Sequence, residues 1–293
     1  MRALSVALAV LAALASAAAL PARADHAGAA SGGAEWLGPK APAAPRRVIT
    51  LAPSLTDMVL ALGKRDVLVG VTRYDDGPEV ATLPRVGGFL DPSAEAVLAL
   101  RPDLVLWISD GGALAAVQRI AALGVPVRAV PVVSVADVLA CARLVGAALG
   151  VAPAGERLAQ DLDRAVAAAR ARAPSGHRAR VLFVIGRDPL VVAGPGSYPD
   201  ELLRIAGAEN AVKNTRAWPM YPLERAVADD PDLVVDGAVL EPAEGISRLA
   251  AIPAVKRGAV YRFRSDAALR PGPKLAVALE ELGRALRLGA RRP

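Results

Sequence analysis

Glu95-Ala-Val-Leu-Ala-Leu-Arg-Pro-Asp-Leu-Val-Leu106 is matched, without a gap, by Glu224-Arg-Ala-Val-Ala-Asp-Asp-Pro-Asp-Leu-Val-Val235. Both fit the pattern E-x-x-x-A-x-x-P-D-L-V-[LV]. In each copy a glutamate opens a short helical run, Pro-Asp breaks it, and a continuous apolar stretch follows that reads as a buried strand. A weaker echo pairs Leu62-Gly63 with Ala206-Gly207, each closing a helix before a β-type run. The echo is too short to establish duplication, but it places one glutamate at an equivalent point in each of two lobes.

Outward from these anchors, short β-type runs alternate with helical stretches. Before and after the first copy, Val48–Leu51, Val67–Val71, Leu104–Trp107 and Val127–Val130 read as strands. Ser54, with Asp57 three residues on, reads as a helix cap, and a helix from about Val135 to Leu149 closes the half. The second series has strands at Val181–Ile185, Leu190–Ala193, Leu233–Asp236 and Val260–Phe263, with helices starting near Ser197, Pro222 and Pro273. Such alternation predicts α/β lobes built on mainly parallel sheets. Between the series, Ala154 to Ala173 is amphipathic, with Leu158, Leu162, Val166 and Ala169 near one face. At 1.5 Å per residue it would measure about 30 Å, and Pro174-Ser175-Gly176 stops it. The expected layout is a flexible Ala/Gly/Pro-rich lead-in at 25–46, an α/β lobe at 47–150, an interlobe helix at 151–176, and a second α/β lobe at 177–293.

Composition narrows the chemistry. The 293 residues are 54% hydrophobic and 22% charged, with a mean hydropathy of +0.36, which argues against intrinsic disorder. A single cysteine, Cys141, rules out an intramolecular disulfide and any Cys-x-x-Cys motif. Two histidines, His26 and His177, leave too few for a histidine-built metal site or a histidine-based triad. The net charge is +6 and the pI about 9.9, yet the arginines are scattered and alternate with Asp and Glu on stretches such as Glu156 to Arg172. That pattern is a solvated surface and not a nucleic-acid footprint.

The amino terminus carries the marks of an export signal. Arg2 precedes an apolar stretch from Ala3 to Leu20, and Ala22-Arg23-Ala24 offers small residues at the two positions a signal peptidase reads. Cleavage after Ala24 and a periplasmic location are expected. The rival reading is a retained membrane anchor, since the run approaches the roughly 18 residues needed to span. No cysteine lies near the cut to take a lipid.

Either glutamate alone has a bland explanation, because a carboxylate in a helix's first turn gains about 0.3–1 kcal/mol from the helix dipole. The pair suggests more. Like charges at matching positions on two lobes make a bivalent acidic surface, which arginines of a partner can engage by charge-assisted, often bidentate bonds.

At this point the residues carry a family resemblance. Arg47-Val-Ile-Thr-Leu-Ala-Pro-Ser54, the Glu95 stretch through Arg101-Pro-Asp-Leu-Val105, Gly196-Ser-Tyr-Pro-Asp-Glu-Leu-Leu203 and Ile252-Pro-Ala-Val-Lys-Arg-Gly-Ala-Val-Tyr261 resemble, in order, the substrate-binding proteins of ABC importers for vitamin B12, haem and iron-siderophores. The resemblance spans nearly all of residues 47 to 288. It implies two α/β lobes joined by one rigid helix, a ligand cleft between them, a monomer with no catalytic role, and Glu95 and Glu224 docking onto arginines of a membrane permease.

Only ten residues are aromatic, so their placement is informative. Phe183, Tyr261 and Phe263 sit within strands and read as core. Tyr74, Phe89, Trp107, Trp218 and Tyr221 fall at or just after strand ends, or just before the glutamate helices. Clefts of open α/β sheets lie beyond the carboxyl ends of strands, and large aromatics there suit a broad, mostly apolar ligand. Local packing under a loop is the competing explanation for each. Among the family, the cobalamin binders are the most similar. Their tyrosine after the second strand is similar to Tyr74, their aromatic before the first glutamate helix to Phe89, and their tryptophan before the second to Trp218. Their Asp and Arg four apart resemble Asp266 and Arg270, which could exchange hydrogen bonds with corrin amides; a local ion pair is the plain alternative. Where those relatives continue with aromatics, this chain has Ala267 and Ala268. Cobalamin brings its own metal, so no cofactor or protein metal ligand is required. Haem would need an axial residue, for which Tyr74 and Tyr221 are candidates. A ferric siderophore would call on Arg73, Arg187 and Arg270.

An exported enzyme is the reading from another class. No G-x-S-x-G elbow occurs, histidine is scarce, and Cys141 in Val138-Leu-Ala-Cys-Ala reads as a buried small hydrophobe.

Overall fold

The computed structural model describes residues 35–109, 112–213 and 216–289; the expected export signal lies outside the described residues. The chain divides into two compact units between Leu162 and Asp163.

In the first unit, β1 (Trp36–Leu37), β2 (Val48–Thr50), β3 (Leu68–Gly70), β4 (Leu104–Ile108) and β5 (Val127–Val130) form a sheet of order β1-β5-β4-β2-β3. All pairings are parallel except β1 with β5. Helices α1 (Pro53–Ala61), α2 (Ala94–Ala99), α3 (Leu114–Ala122) and α4 (Val135–Ala148) lie between the strands along the chain. β2 and β4 are buried along nearly their whole length, which is why they read as unbroken apolar runs and not as alternating ones. A buried cluster including Ile49, Leu51, Val97, Val105 and Ile120 forms the core.

The Ser54 cap is a correction. Helix α1 starts at Pro53 with Ala52 in the capping position and no side-chain cap, and Ser54 is already inside it. Proline's fixed φ is pre-organised for the first helical position, and its missing N–H costs nothing there. The side-chain capping box falls instead at α4, where Ser134 Oγ accepts from Asp137 N and Asp137 accepts from Ser134 N.

The amphipathic segment forms α5 (Ala152–Ala171), and the division between the units falls in its middle. It buries Ala159, Leu162 and Val166. Its N-terminal half crosses α4 closely: a Cβ on Gly155 would lie 2.5 Å from Ala142 O, and one on Gly146 would lie 2.7 Å from Gly155 Cα. Glycine inside a helix costs about 1 kcal/mol, which this backbone contact offsets.

The second unit repeats the plan. β6 (Arg180–Arg187), β7 (Leu190–Val192), β9 (Leu233–Asp236) and β10 (Val260–Arg262) run in the order β10-β9-β6-β7, and β8 (Glu209–Asn210) also pairs with β6. Only β7 is antiparallel. The helices are α6 (Tyr198–Ile205), α7 (Leu223–Ala228), α8 (Pro253–Lys256) and α9 (Leu275–Gly289). Phe183 and Phe263 are core, 5.6 Å apart between ring centroids, while Tyr261 is half-buried.

The sequence echo becomes a structural one. Each glutamate helix has six residues, α2 in one unit and α7 in the other. Each ends at a residue of left-handed backbone, Arg101 (φ 45°) and Asp230 (φ 39°), seventh in its copy of the motif. The aspartate of each Pro-Asp then grips the entry to a neighbouring strand. Asp103 accepts from Arg46 N and Arg47 N at 2.8 and 2.9 Å, and Asp232 accepts from Arg180 N at 2.7 Å.

Candidate functional site

In the first unit, β3 gives way to a turn closed by Asp75, which accepts from the backbone N–H and hydroxyl of Thr72. This turn carries Tyr74, half-buried, whose N–H donates to Thr72 Oγ1 at 3.3 Å. The strip from Pro84 to Ser93 is laced to it: Val71 N reaches Pro84 O, Val86 N reaches Val71 O, and Arg73 N reaches Gly87 O at 2.8 Å. Glycine at position 88 lets the loop pack closely, since a Cβ there would stand 2.3 Å from Asp91 Oδ1 and 3.1 Å from Tyr74 Cε2. The next residue is Phe89, half-buried, followed by Leu90, which is 40% exposed. Tyr74 and the Phe89 loop are thus brought together. Arg73 lies between them, 5.8 Å from the Tyr74 ring centroid and 2.7 Å from Asp91. Two residues beyond Asp91, Ser93 caps α2 by accepting from Ala96 N, and Glu95 stands exposed in its first turn.

The second unit builds a comparable loop. Gly194 N donates to Ala217 O at 2.8 Å, Val192 N to Pro219 O, and Tyr221 N to Leu190 O, so residues 216–222 lie along β7. Trp218 is half-buried on this loop and Met220 is 71% exposed. Helix α7 follows, with Glu224 exposed in its first turn. Among the described residues neither Glu95 nor Glu224 makes an ion pair.

Two of the expected ligand aromatics belong to the cores. Trp107 lies in β4, only 4% exposed, packed with Ile49, Leu51 and Val117, and its indole N–H donates to Gly112 O at 3.2 Å. Tyr221 is 8% exposed among Val192, Val234 and Ala226, and its hydroxyl donates to Asp229. Burial, and next the Asp229 carboxylate, push the Tyr221 phenol up to about 12. A phenol so held is a poor source of the phenolate that an iron ligand requires. For both positions the loop reading is corrected to core packing, because each side chain turns toward the sheet's own helices.

Asp266 and Arg270 occupy one helical turn, in which Arg270 N donates to Asp266 O. Their side chains meet at 2.5 Å and are about one-fifth exposed. Ala267 and Ala268 are buried beneath them. Of the other candidate cations, Arg73 is paired with Asp91, and Arg187 is wholly buried against Asp236 and Glu241. Every arginine proposed for an anionic siderophore therefore carries its own carboxylate. Cys141 is 1% exposed, and burial followed by the charge of Asp137 pushes its thiol up to about 12, so it presents no thiolate at neutral pH. Among the described residues no helix is long and apolar enough to cross a membrane.

Sequence reasoning did not identify Asp91 and Asp229 as partners of Arg73 and Tyr221. The signal for Asp229 was its place at the end of the second glutamate helix, where a polar residue meets whatever precedes that helix.

Comparison with known proteins places the chain in a family. The profile of the periplasmic binding protein family matches residues 48–267. The vitamin B12-binding protein of Salmonella typhimurium is 30% identical over 250 residues, covering 83% of this chain and 91% of that one. An uncharacterized ABC transporter substrate-binding lipoprotein of Bacillus subtilis is 29% identical over 252 residues, covering 83% and 80%. The structure of a periplasmic heme-binding protein from Roseiflexus sp. RS-1 superposes with a TM-score of 0.76 at 28% identity, covering 84% of this chain and 99% of that one. These relatives are binding proteins of transport systems and not enzymes. With a family match that runs from β2 through the Asp266 turn, the chain belongs to the periplasmic binding protein family.

Proposed function

We propose that this chain is the exported, monomeric binding component of an ABC importer, released by cleavage after Ala24, and that it captures cobalamin or a related corrinoid. The ligand would be handed to a permease that recognises Glu95 and Glu224. One observation carries the choice of ligand: the aromatics Tyr74, Phe89 and Trp218 stand half-buried on loops ahead of the glutamate helices, while Arg73 and Arg270 are each paired with a carboxylate, Asp91 and Asp266. That combination suits a wide ligand with amide handles and little net charge. It gives an anionic ferric siderophore no uncompensated arginine among the three considered. Asp266 and Arg270, already paired, can each turn a remaining acceptor or donor toward amides. The protein needs no cofactor of its own.

Haem is the second reading, and Tyr74 supports it. Its hydroxyl has no hydrogen-bond partner among the described residues, and Arg73 lies 5.8 Å from its ring centroid. Calorimetric titration of the mature protein with cyanocobalamin, haem and a ferric siderophore tests the choice. Heat of binding with cyanocobalamin alone is expected. Binding of haem with a tyrosinate charge-transfer band that Tyr74→Phe abolishes would replace cobalamin with haem.

A further inference from the structure

We infer that Arg47 and Arg180 are a matched pair of positioning residues that fix how Glu95 and Glu224 are presented, an inference that rests on the docking role proposed above. Each arginine stands at the entry of the strand beside its glutamate helix, Arg47 just before β2 and Arg180 as the first residue of β6. Arg47 Nε donates to Leu100 O and Arg101 O, both at 3.1 Å, and Nη2 donates to Leu100 O at 2.6 Å. Arg180 donates through Nη1 to Asp230 O at 3.3 Å and through Nη2 to Asp229 O. These acceptors are the sixth and seventh residues of the two motif copies. The two guanidinium groups therefore fork onto the same pair of carbonyls in each unit.

A six-residue helix lacks the length to hold itself, since isolated helices are marginal below about 12–15 residues. Its C-terminal carbonyls have no intrahelical partners and carry the negative end of the helix dipole. A fixed planar cation with several donors answers both needs at once, and a lysine ammonium would keep the charge but lose the fork. The same arginines are also held from behind. Arg47 O accepts from Asp103 N at 3.0 Å and Arg180 O from Asp232 N at 2.8 Å, closing a ring between strand entry and helix exit. Each glutamate helix is thereby tied to an interior strand of its unit's sheet. In the second unit the Tyr221–Asp229 bond adds a brace from two residues before the helix to the residue after it.

The test uses Arg47→Lys and Arg180→Lys in the full mature chain, with three readouts. Amides of residues 94–99 and 223–228 respectively should exchange hydrogen about tenfold faster, by loss of charge-assisted bonds at the helix end. Cyanocobalamin affinity should stay within about twofold, and the protein concentration that half-maximally stimulates the reconstituted importer's ATPase should rise about tenfold. In a Glu95→Ala background, Arg47→Lys should add nothing to the docking loss, because it acts only through that glutamate. Unchanged exchange, loss of cyanocobalamin binding, or an additive docking loss in that background would each overturn the inference. Glu95→Arg separates the two ideas: if stimulation survives it, the docking role fails. If Glu95→Arg removes stimulation and Arg47→Lys leaves it intact, the clamp alone fails.

Discussion

Arg187 and Asp236 meet through two hydrogen bonds, Nε to Oδ1 at 3.2 Å and Nη2 to Oδ2 at 2.7 Å, with side-chain exposures of 0% and 1%. The remaining donors of Arg187 reach Pro242 O at 2.7 Å, Ala238 O at 3.3 Å and Glu241 at 3.5 Å, so the guanidinium is saturated. The pair welds the end of β6 to the end of β9. Removing one member strands a charge in the interior, which typically costs about 3–5 kcal/mol, whereas replacing both by apolar groups of similar volume is often neutral. Asp236→Ala should therefore lower the urea midpoint of unfolding severely, and Arg187→Met with Asp236→Leu should recover most of it. Equal destabilisation by the single and double changes would show that packing, not charge, dominates there.

Trp218 and Trp107 should separate cleanly. Trp218→Ala, on a loop, is expected to weaken cyanocobalamin binding by about 1 kcal/mol or more, the scale of an interface anchor. The thermal midpoint should stay close to the parent's. Trp107→Ala removes a core ring and should cost about 3–5 kcal/mol of stability. Calorimetry paired with denaturant titration reads both quantities, and unchanged affinity for Trp218→Ala returns that residue to plain packing.

The repeated motif made the two-unit architecture legible, because an apolar run after Pro-Asp has few alternatives to a buried strand. The amphipathic helix was legible for the same reason: Leu162 and Val166 recur at a helical spacing and are buried. Side-chain direction at strand ends was not legible. Trp107 and Trp218 both occupy places that a strand-end rule would assign to a ligand, and only the way each loop turns decides between core and surface. Nor could sequence pair Arg187 with Asp236, 49 residues away. Ser54 and Ser134 show a local limit, since each is followed three residues later by aspartate, and only the proline at position 53 tells the two helix starts apart.

The exposed glutamates predict a clean division of labour. Glu95→Arg and Glu224→Arg each reverse one charge on a first turn that bears no ion pair among the described residues. Cyanocobalamin affinity should be preserved in both, while stimulation of the reconstituted permease's ATPase should be lost. Loss of ligand binding instead would assign the glutamates to the binding loops and remove them from docking.

Tyr221 supplies a prediction in pH. Burial, then the bond to Asp229, raise its phenol from an ordinary value of 10.0 to about 12. A group whose folded value lies above its unfolded one keeps its proton longer when folded. Its stabilisation is thus complete below pH 10 and drains away as pH climbs toward 12. Across that window the parent's unfolding free energy should fall more steeply than that of Tyr221→Phe, which has no proton to lose there. Spectrophotometric titration at 295 nm should show one fewer late-ionising phenol in the variant. Because Tyr221 braces α7 from within a core cluster, Tyr221→Phe should leave cyanocobalamin affinity unchanged. A tenfold loss of affinity with the same pH slope as the parent would put the ring back among the ligand contacts.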